Sequence, residues 1–535
     1  MTDGLGLEDV YGATIERIKA QSGGKSRLGI EALMWVNHAE RPLEAGELCR
    51  ALAVELGSRY FNAGNIPSIA TLLGCCQGLI AMGKSRVGST VRLIHFTLRE
   101  YLSARPDILG RPHSAMAEIC LTYLNSKQVK DLSTYPPGDH RVVAHSYPFL
   151  EYCSLYWGVH AKREFSDRTM SLALELFREY NDHISGKFLW EEAQGRPRSD
   201  DGISFQFSGL HCASIFGIVE LVAALIQMEC HDINEEDCFG YTPLARAAQH
   251  GHNEIIIMLL GVEGVDPDTP HFIGQTPLSH AAGRGHEGVV KILLGREEVD
   301  SDKPDDFDQT PLFFAALGGH EGVVKILLGQ QGVKPDGANI LGETPLSVAA
   351  RGGWEGVVKI LLARGEVDPT RPDDDGRPPL SWAAWSGCEG VVNILLERHE
   401  VNPNRPDPGG RTALVYAVWS GREGVVKTLL GRDEVDPDKL DTSGRTPLSR
   451  AAEDGYEGAM RLLLERGDVN PNKPDYTGQT PLAHAARKGH EGAVRALLER
   501  KEVNPDIPDN GGQIPFMLAV MNRHWRAGEL LLPKR

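Results

Sequence analysis

No run of about 18 apolar residues occurs in this chain of 535 residues, so its sequence encodes no helix long enough to cross a bilayer. The opening residues, MTDGLGLEDVYG, have neither the basic start nor the apolar core of a secretory signal. Cysteine is sparse and unpatterned. There are nine, an odd number, with no C-x-x-C pair, and only Cys75 and Cys76 are neighbours. That spacing excludes a disulfide framework and predicts free thiols in a reducing compartment, hence a cytoplasmic or nuclear protein. Positive charge is also short. The formal net charge is −17, which argues against a protein that tracks a phosphate backbone. No G-x-S-x-G and no Cys/His signature stands in a catalytic context, so no nucleophilic enzyme is predicted.

What is present is a beat. The triplet Thr-Pro-Leu or a variant begins at Thr242, Thr276, Thr310, Thr344, Pro378, Thr412, Thr446 and Thr480, always 34 residues apart. Worn copies at Ser208 and Ile514 extend it to ten, over residues 203–535. A fixed period of this size means stacked small units rather than one globular core. Stacked units build extended binding surfaces.

One unit, starting at Asp441, shows the local logic. Asp441 and Gly444 shape a tight turn, Gly accepting the positive φ such turns demand. Thr446 is placed to cap a helix, with Pro447 at the first helical position, where a missing N–H costs nothing. Ala451 and Ala452 are small enough for close helix approach, and Gly455 ends the helix. A second helix carries Ala459, Leu462 and Leu463 at helical spacing, and the chain leaves through Val469-Asn470-Pro471.

This grammar of turn, helix, turn, helix and extended return closely resembles the ankyrin repeat, whose motif stands nearly intact at Gly274 to Leu294. The resemblance implies a mainly α fold, an ankyrin-repeat solenoid of about ten 34-residue repeats. The usual repeat has 33 residues, and the extra one falls in the return segment (EVDPD, EVNPN, DVNPN). Three departures bear on local order. Asp308 replaces the turn glycine, and Pro378-Pro379 stiffens one helix start. Ala413 and Val418 replace the proline and the second alanine of another copy, predicting looser packing there. The outermost copies are degenerate, as capping repeats generally are.

Before residue 200 the beat vanishes. Ile30 to Asn37, Leu43 to Val54 and Ile69 to Gln77 read as helices. Gly78 to Met82 and Val91 to Phe96 read as strands, and Thr97 to Ser103 as a further helix. Three helices and a two-stranded wing predict a winged helix, followed by apolar-striped helices near 114–125, 146–162 and 168–180. Ala32 to Leu48, Val91 to Leu102 and Pro148 to Trp157 carry signatures similar to the region that follows the nucleotide-binding domain in fungal NACHT-type NTPases, many of which end in ankyrin repeats. The expected organisation is a linker helix (1–27), a winged-helix domain (28–110), a helical connecting region (111–200) and the repeats (203–535).

That resemblance leads one to expect an NTPase. Gly78 to Ser85 does satisfy G-x-x-x-x-G-K-[ST]. Its middle residues are apolar and look like a strand, whereas phosphate binding needs a flexible loop opening into a helix. Gly23-Gly24-Lys25-Ser26 is a weaker match, with Lys19 where the first glycine belongs. The chain is therefore expected to lack the family's catalytic domain, to hydrolyse no ATP and to need no cofactor.

Charge and histidines define what the repeats can do. Residues 1–200 balance 23 acidic against 23 basic side chains, so the whole excess falls in 201–535. Hairpin acids such as Asp266, Asp268, Asp305, Asp306, Asp436 and Asp438 favour a basic protein partner. Asp373-Asp374-Asp375 lacks the spaced ligands of a calcium loop. His250, His252, His280, His286, His320, His484 and His490 recur with the repeat and read as structural, with no second His or Cys at ligand spacing, so no metal site is predicted.

The resemblance implies a concave face lined by hairpin tips and by the positions after the Ala-Ala pair. There the copies differ most. Leu317, Arg351, Trp385 and Trp419 follow the pair in successive repeats, joined by Tyr416 and Trp354, with Phe307, Ile340 and Leu341 in the hairpins. Trp382, closer to the core, leans to packing. Contiguous apolar surface marks an interface, and Trp, Tyr and Arg dominate binding energy. The expected function is a non-enzymatic protein-interaction scaffold, the partner-binding half of a NACHT-like signalling protein, with no nucleic acid, membrane or small-molecule substrate. A regulatory subunit contacting a separate NTPase and a winged-helix DNA-binding adaptor are the alternatives. The helix Ile69 to Gln77 lacks any basic residue, which weighs against the last.

Overall fold

Helices of about eight residues are too short to be stable alone in water, so repeats of this kind stand only when neighbours bury their apolar faces. The computed structural model describes residues 7–84, 89–134, 146–194, 206–228 and 232–532. It forms two compact units, Met1–Phe272 and Ile273–Arg535. Among the described residues the single sheet has two strands.

In Ile273–Arg535, eight helix pairs follow one another, from Pro277–Arg284 with Glu287–Leu294 to Pro515–Met521 with Trp525–Leu531. The threonine of each intact triplet caps the first helix, for example by accepting the Ser279 N–H at Thr276 and the Ser449 N–H at Thr446. Leu278, Ala281, Ala282, Val289, Val290 and Leu293 are wholly buried in one copy, and their equivalents repeat down the stack. Each buried Leu or Val contributes about 1.5–3 kcal/mol of transfer free energy.

The three sequence departures resolve differently. Asp308 does sit at a positive φ of 58°, in the left-handed region its glycine equivalents occupy. Pro378 cannot cap through its side chain, yet Pro379–Ser386 is a full helix, because Pro378 already has the extended backbone of a cap (φ −73°, ψ 163°). The copy with Ala413 and Val418 has a helix of 7 residues, Ala413–Trp419, where the others before it have 8. Val418 is wholly buried, so the change shortens the helix and leaves the core closed.

In Met1–Phe272, the helices Lys25–His38, Ala45–Ala51 and Ile69–Cys75 precede β1 (Ile80–Lys84) and β2 (Ser89–Leu93). The strands pair antiparallel from Ile80↔Leu93 to Lys84↔Ser89, the wing of a winged helix. Leu43 accepts the Val91 N–H at 2.9 Å, fixing the wing to the body. Helices Pro112–Leu124, Pro148–Arg163 and Asp167–Phe177 occupy the three predicted stretches, and Ile184–Gln194 is one the sequence reading did not include. The core is aromatic. Trp35 meets Phe149 and Tyr152 edge-on at 5.5 and 5.7 Å, so winged-helix residues and connecting-helix residues share one core.

The worn repeat at Ser208 is explained here. All of Gly209–Phe216 is buried. Phe216 lies 5.2 Å from Trp157, and a Cβ at Gly209 would meet the Phe177 ring at 2.5 Å. Its sequence departs from the consensus because the helical layer, rather than solvent, covers its outer side.

Candidate functional site

The turn before most first helices is built around one acid, with His271 and Asn339 at its position in two copies. In the repeat of Asp305, its Oδ1 accepts the N–H groups of Phe307 and Gln309 at 2.9 and 2.8 Å. The other oxygen, Oδ2, faces the first helix nine residues on, and the side chain there supplies a donor. Trp382 Nε1 reaches Asp373 at 2.9 Å, the Tyr416 hydroxyl reaches Asp407 at 2.6 Å, and Arg450 Nη2 reaches Asp441 at 2.7 Å. His484 Nε2 lies 2.9 Å from Asp475. Where that residue cannot donate, the partner changes. Phe314 leaves Asp305 to Gln275 Nε2 of the preceding turn at 3.2 Å, and Val348 coincides with Asn339, whose amide turns to Glu343. Buried carboxylates need such partners.

This network corrects one expectation. Tyr416 was placed with the exposed group, but it is 3% exposed, its hydroxyl consumed by Asp407. It positions Trp419 rather than meeting solvent. Burial works against the Asp407 charge, but the Tyr416 hydroxyl and the Arg411 N–H groups hold its carboxyl below the ordinary value. The hairpin acids divide: Asp268, Asp305 and Asp373 are buried, whereas Asp306, Asp374, Asp375 and Asp436 are exposed. Trp382, 7% exposed, packs as its sequence position suggested.

The remaining residues face outward. Leu317, Trp354, Trp385 and Trp419 are 41–47% exposed, and Phe307, Ile340 and Leu341 reach 44–58%. Trp385 rests on Trp382 with centroids 5.2 Å apart, and Trp419 on Tyr416 at 6.4 Å. Each exposed ring thus stands on a buried ring that is itself hydrogen-bonded to the turn. Arg411 lies over both Tyr416 and Trp419 at 5.4 and 5.6 Å, and Arg351 lies over Trp382 at 4.9 Å while pairing with Glu343. Ile340 N–H bonds Phe307 O at 3.0 Å, bringing those two hairpins side by side.

Trp354 has a second duty. At its column, His320 and His490 are hydrogen-bonded to the carbonyls of Gly283 and Glu453, one repeat back. Trp354 Nε1 donates to Leu317 O at 3.0 Å and Arg422 Nε to Trp385 O at 3.2 Å, so His, Trp and Arg at this column all stitch one repeat to the one before. This accounts for His320 and His490 among the recurring histidines, while His484 serves the turn at Asp475. Other exposed residues carry no signal in the triplet itself: Met521, 64% exposed, stands three steps of 34 beyond Trp419, and Tyr476, 69% exposed, four steps beyond Ile340.

Residues of the phosphate-loop match are otherwise engaged. Ile80–Lys84 is a strand paired along its length, and Ser85 lies outside the described residues. Gly23-Gly24-Lys25-Ser26 opens the helix Lys25–His38 but follows the helix Leu7–Lys19, not a strand. Six cysteines are buried thiols, Cys76 pushed up to about 12 by burial. No described helix is long and apolar enough to cross a membrane.

Residues 182–271, 262–339, 331–407, 399–475 and 467–535 match a family model described as ankyrin repeats in three copies. Residues 15–109 match one described as the GPI inositol-deacylase winged helix domain, the NACHT-associated winged-helix region. Among solved structures, that of the ankyrin repeat domain of Bcl-3, titled a unique member of the IkappaB protein family, is similar at 29% identity, covering 42% of this chain and 97% of that one with a TM-score of 0.38. No curated protein matches significantly.

Proposed function

The chain belongs to the ankyrin-repeat family, and from that premise we propose that it is a non-enzymatic scaffold whose exposed Trp385–Trp419 column docks a protein partner. Ankyrin repeats indicate protein–protein interaction, and the column supplies the surface. The observation that carries the proposal is the pairing of an exposed indole with a buried, anchored ring in two successive repeats. An anchored ring loses little conformational freedom on binding, which raises the surplus left for affinity. Each indole can bury roughly 150–250 Å². Exposed acids at Asp306, Asp374, Asp375 and Asp436 suit a partner with basic residues around an apolar contact. The winged helix at residues 15–109 supports a role as the partner-sensing half of a NACHT-like signalling protein.

The test is affinity capture with the intact chain and with a Trp385→Ala/Trp419→Ala variant, followed by binding measurements on the captured protein. The expected loss exceeds about 2 kcal/mol, the threshold of a hot spot, with the melting curve unchanged. Equal binding by the variant, or repeats that melt with it, refutes the surface.

A further inference from the structure

The unit Met1–Phe272 brings together three side chains that sequence spacing kept apart: Glu40, in the turn after the helix Lys25–His38, His113, in the first turn of Pro112–Leu124, and His160, within Pro148–Arg163. One ligand atom from each lies within 4.8 Å of the other two. His113 Nδ1 is 2.9 Å from His160 Nδ1, and His160 Nδ1 is 3.9 Å from Glu40 Oε1. Zinc bound at about 2.0–2.1 Å in a tetrahedron holds neighbouring ligand atoms roughly 3.3 Å apart, between those two distances. Two bare ring nitrogens at 2.9 Å would repel, so either a proton or a cation stands between them.

We propose that Glu40, His113 and His160 form a zinc site that clamps the winged helix to the helices behind it. Two imidazoles and a carboxylate are the borderline donor set that zinc takes, with the remaining position left to water. A supporting shell is already built. The His160 Nε2 lies 2.9 Å from the Tyr152 hydroxyl, which also accepts the Glu40 N–H at 3.2 Å. When Nε2 carries the proton and donates it to Tyr152, Nδ1 becomes the ligand atom, the usual way an outer partner fixes a zinc-bound imidazole. Arg163 grips the Glu40 carboxylate through two nitrogens, and each carboxylate oxygen retains a second lone pair for a cation. His160 is wholly buried, whereas Glu40 and His113 are partly exposed, which gives an ion a way in.

The experiment titrates metal-stripped full chain with Zn²⁺ against a chromophoric chelator, with Co²⁺ absorption recorded in parallel. The expected result is one tight site, weakened at least about 100-fold in His113→Ala and in Glu40→Gln, and about 10-fold in Tyr152→Phe. The Co²⁺ band of a low-coordinate site should vanish in His113→Ala. Both ligand variants alter partly exposed positions, so their melting curves without metal should match the wild type, which separates ligand loss from misfolding. Equal Zn²⁺ affinity in wild type and His113→Ala overturns the proposal. So does binding no tighter than that of scattered surface histidines, because a shared proton then suffices.

Discussion

The two units treat large aromatic side chains in opposite ways. In Met1–Phe272, Trp35, Trp157, Tyr123, Tyr152, Phe149, Tyr180 and Phe207 are fully buried and form the core. In Ile273–Arg535, the core is Ala, Val and Leu, and Trp354, Trp385, Trp419 and Trp525 lie 41–61% exposed. The reason is the spacing of the elements. A stack of eight-residue helices approaching through Ala-Ala pairs leaves little volume for an indole between the helices, and each repeat must fit the same neighbours. Rings enter this stack either folded against a hairpin turn, as Trp382 and Tyr416 are, or exposed in the columns where copies differ. The irregular helical layer has no such repeat constraint and uses rings to fill unequal gaps.

Four variants would break or sharpen that contrast. Trp157→Ala, beneath Phe216 and Phe177, should destabilise Met1–Phe272 by about 3–5 kcal/mol in chemical denaturation. Trp385→Ala with Trp419→Ala should instead shift stability by under about 1 kcal/mol while removing more than that from binding. If the double variant costs as much stability as Trp157→Ala, the contrast fails. Tyr416→Phe removes a donor to a charged acceptor and should cost about 1.5 kcal/mol, the low end for such bonds because Arg411 remains. Its pH dependence has a definite sign. Asp407 is depressed in the folded state, so its contribution is full above the unfolded carboxylate pKa and disappears as pH falls through and below about 4. The gap between wild type and Tyr416→Phe should therefore narrow in acid, measured by denaturation at several pH values. Smallest is Asp308→Gly, which relieves a left-handed backbone at φ 58° and should stabilise by about 0.5–1 kcal/mol in thermal unfolding.

Much of the fold was legible because it is local and periodic. A threonine cap acts over three residues, a helix face over four, and the repeat over 34, so the eye can compare copies. The wing and its three helices were legible for the same reason, within two or three residues at their ends except at the first helix, which begins at Lys25 rather than Ile30. The candidate surface was only half legible. Trp419 and Tyr416 share one short helix, three residues apart, and periodicity alone grouped them together. The side chain of Tyr416 turns inward because Asp407, nine residues back, offers a buried acceptor. That bond depends on how the turn folds over the helix, which no spacing rule states.

The sequence by itself determined the repeat, its register, its caps and the columns where copies may differ, since these follow from chain geometry and nearest-neighbour packing. Only the tertiary structure decided which ring in a column is anchor and which is exposed, why the copy at Ser208 is worn, and that Glu40, His113 and His160 converge. His113 and His160 are 47 residues apart, on separate helices. Their meeting depends on how those helices cross over an aromatic core, and that crossing has no periodic trace in the chain.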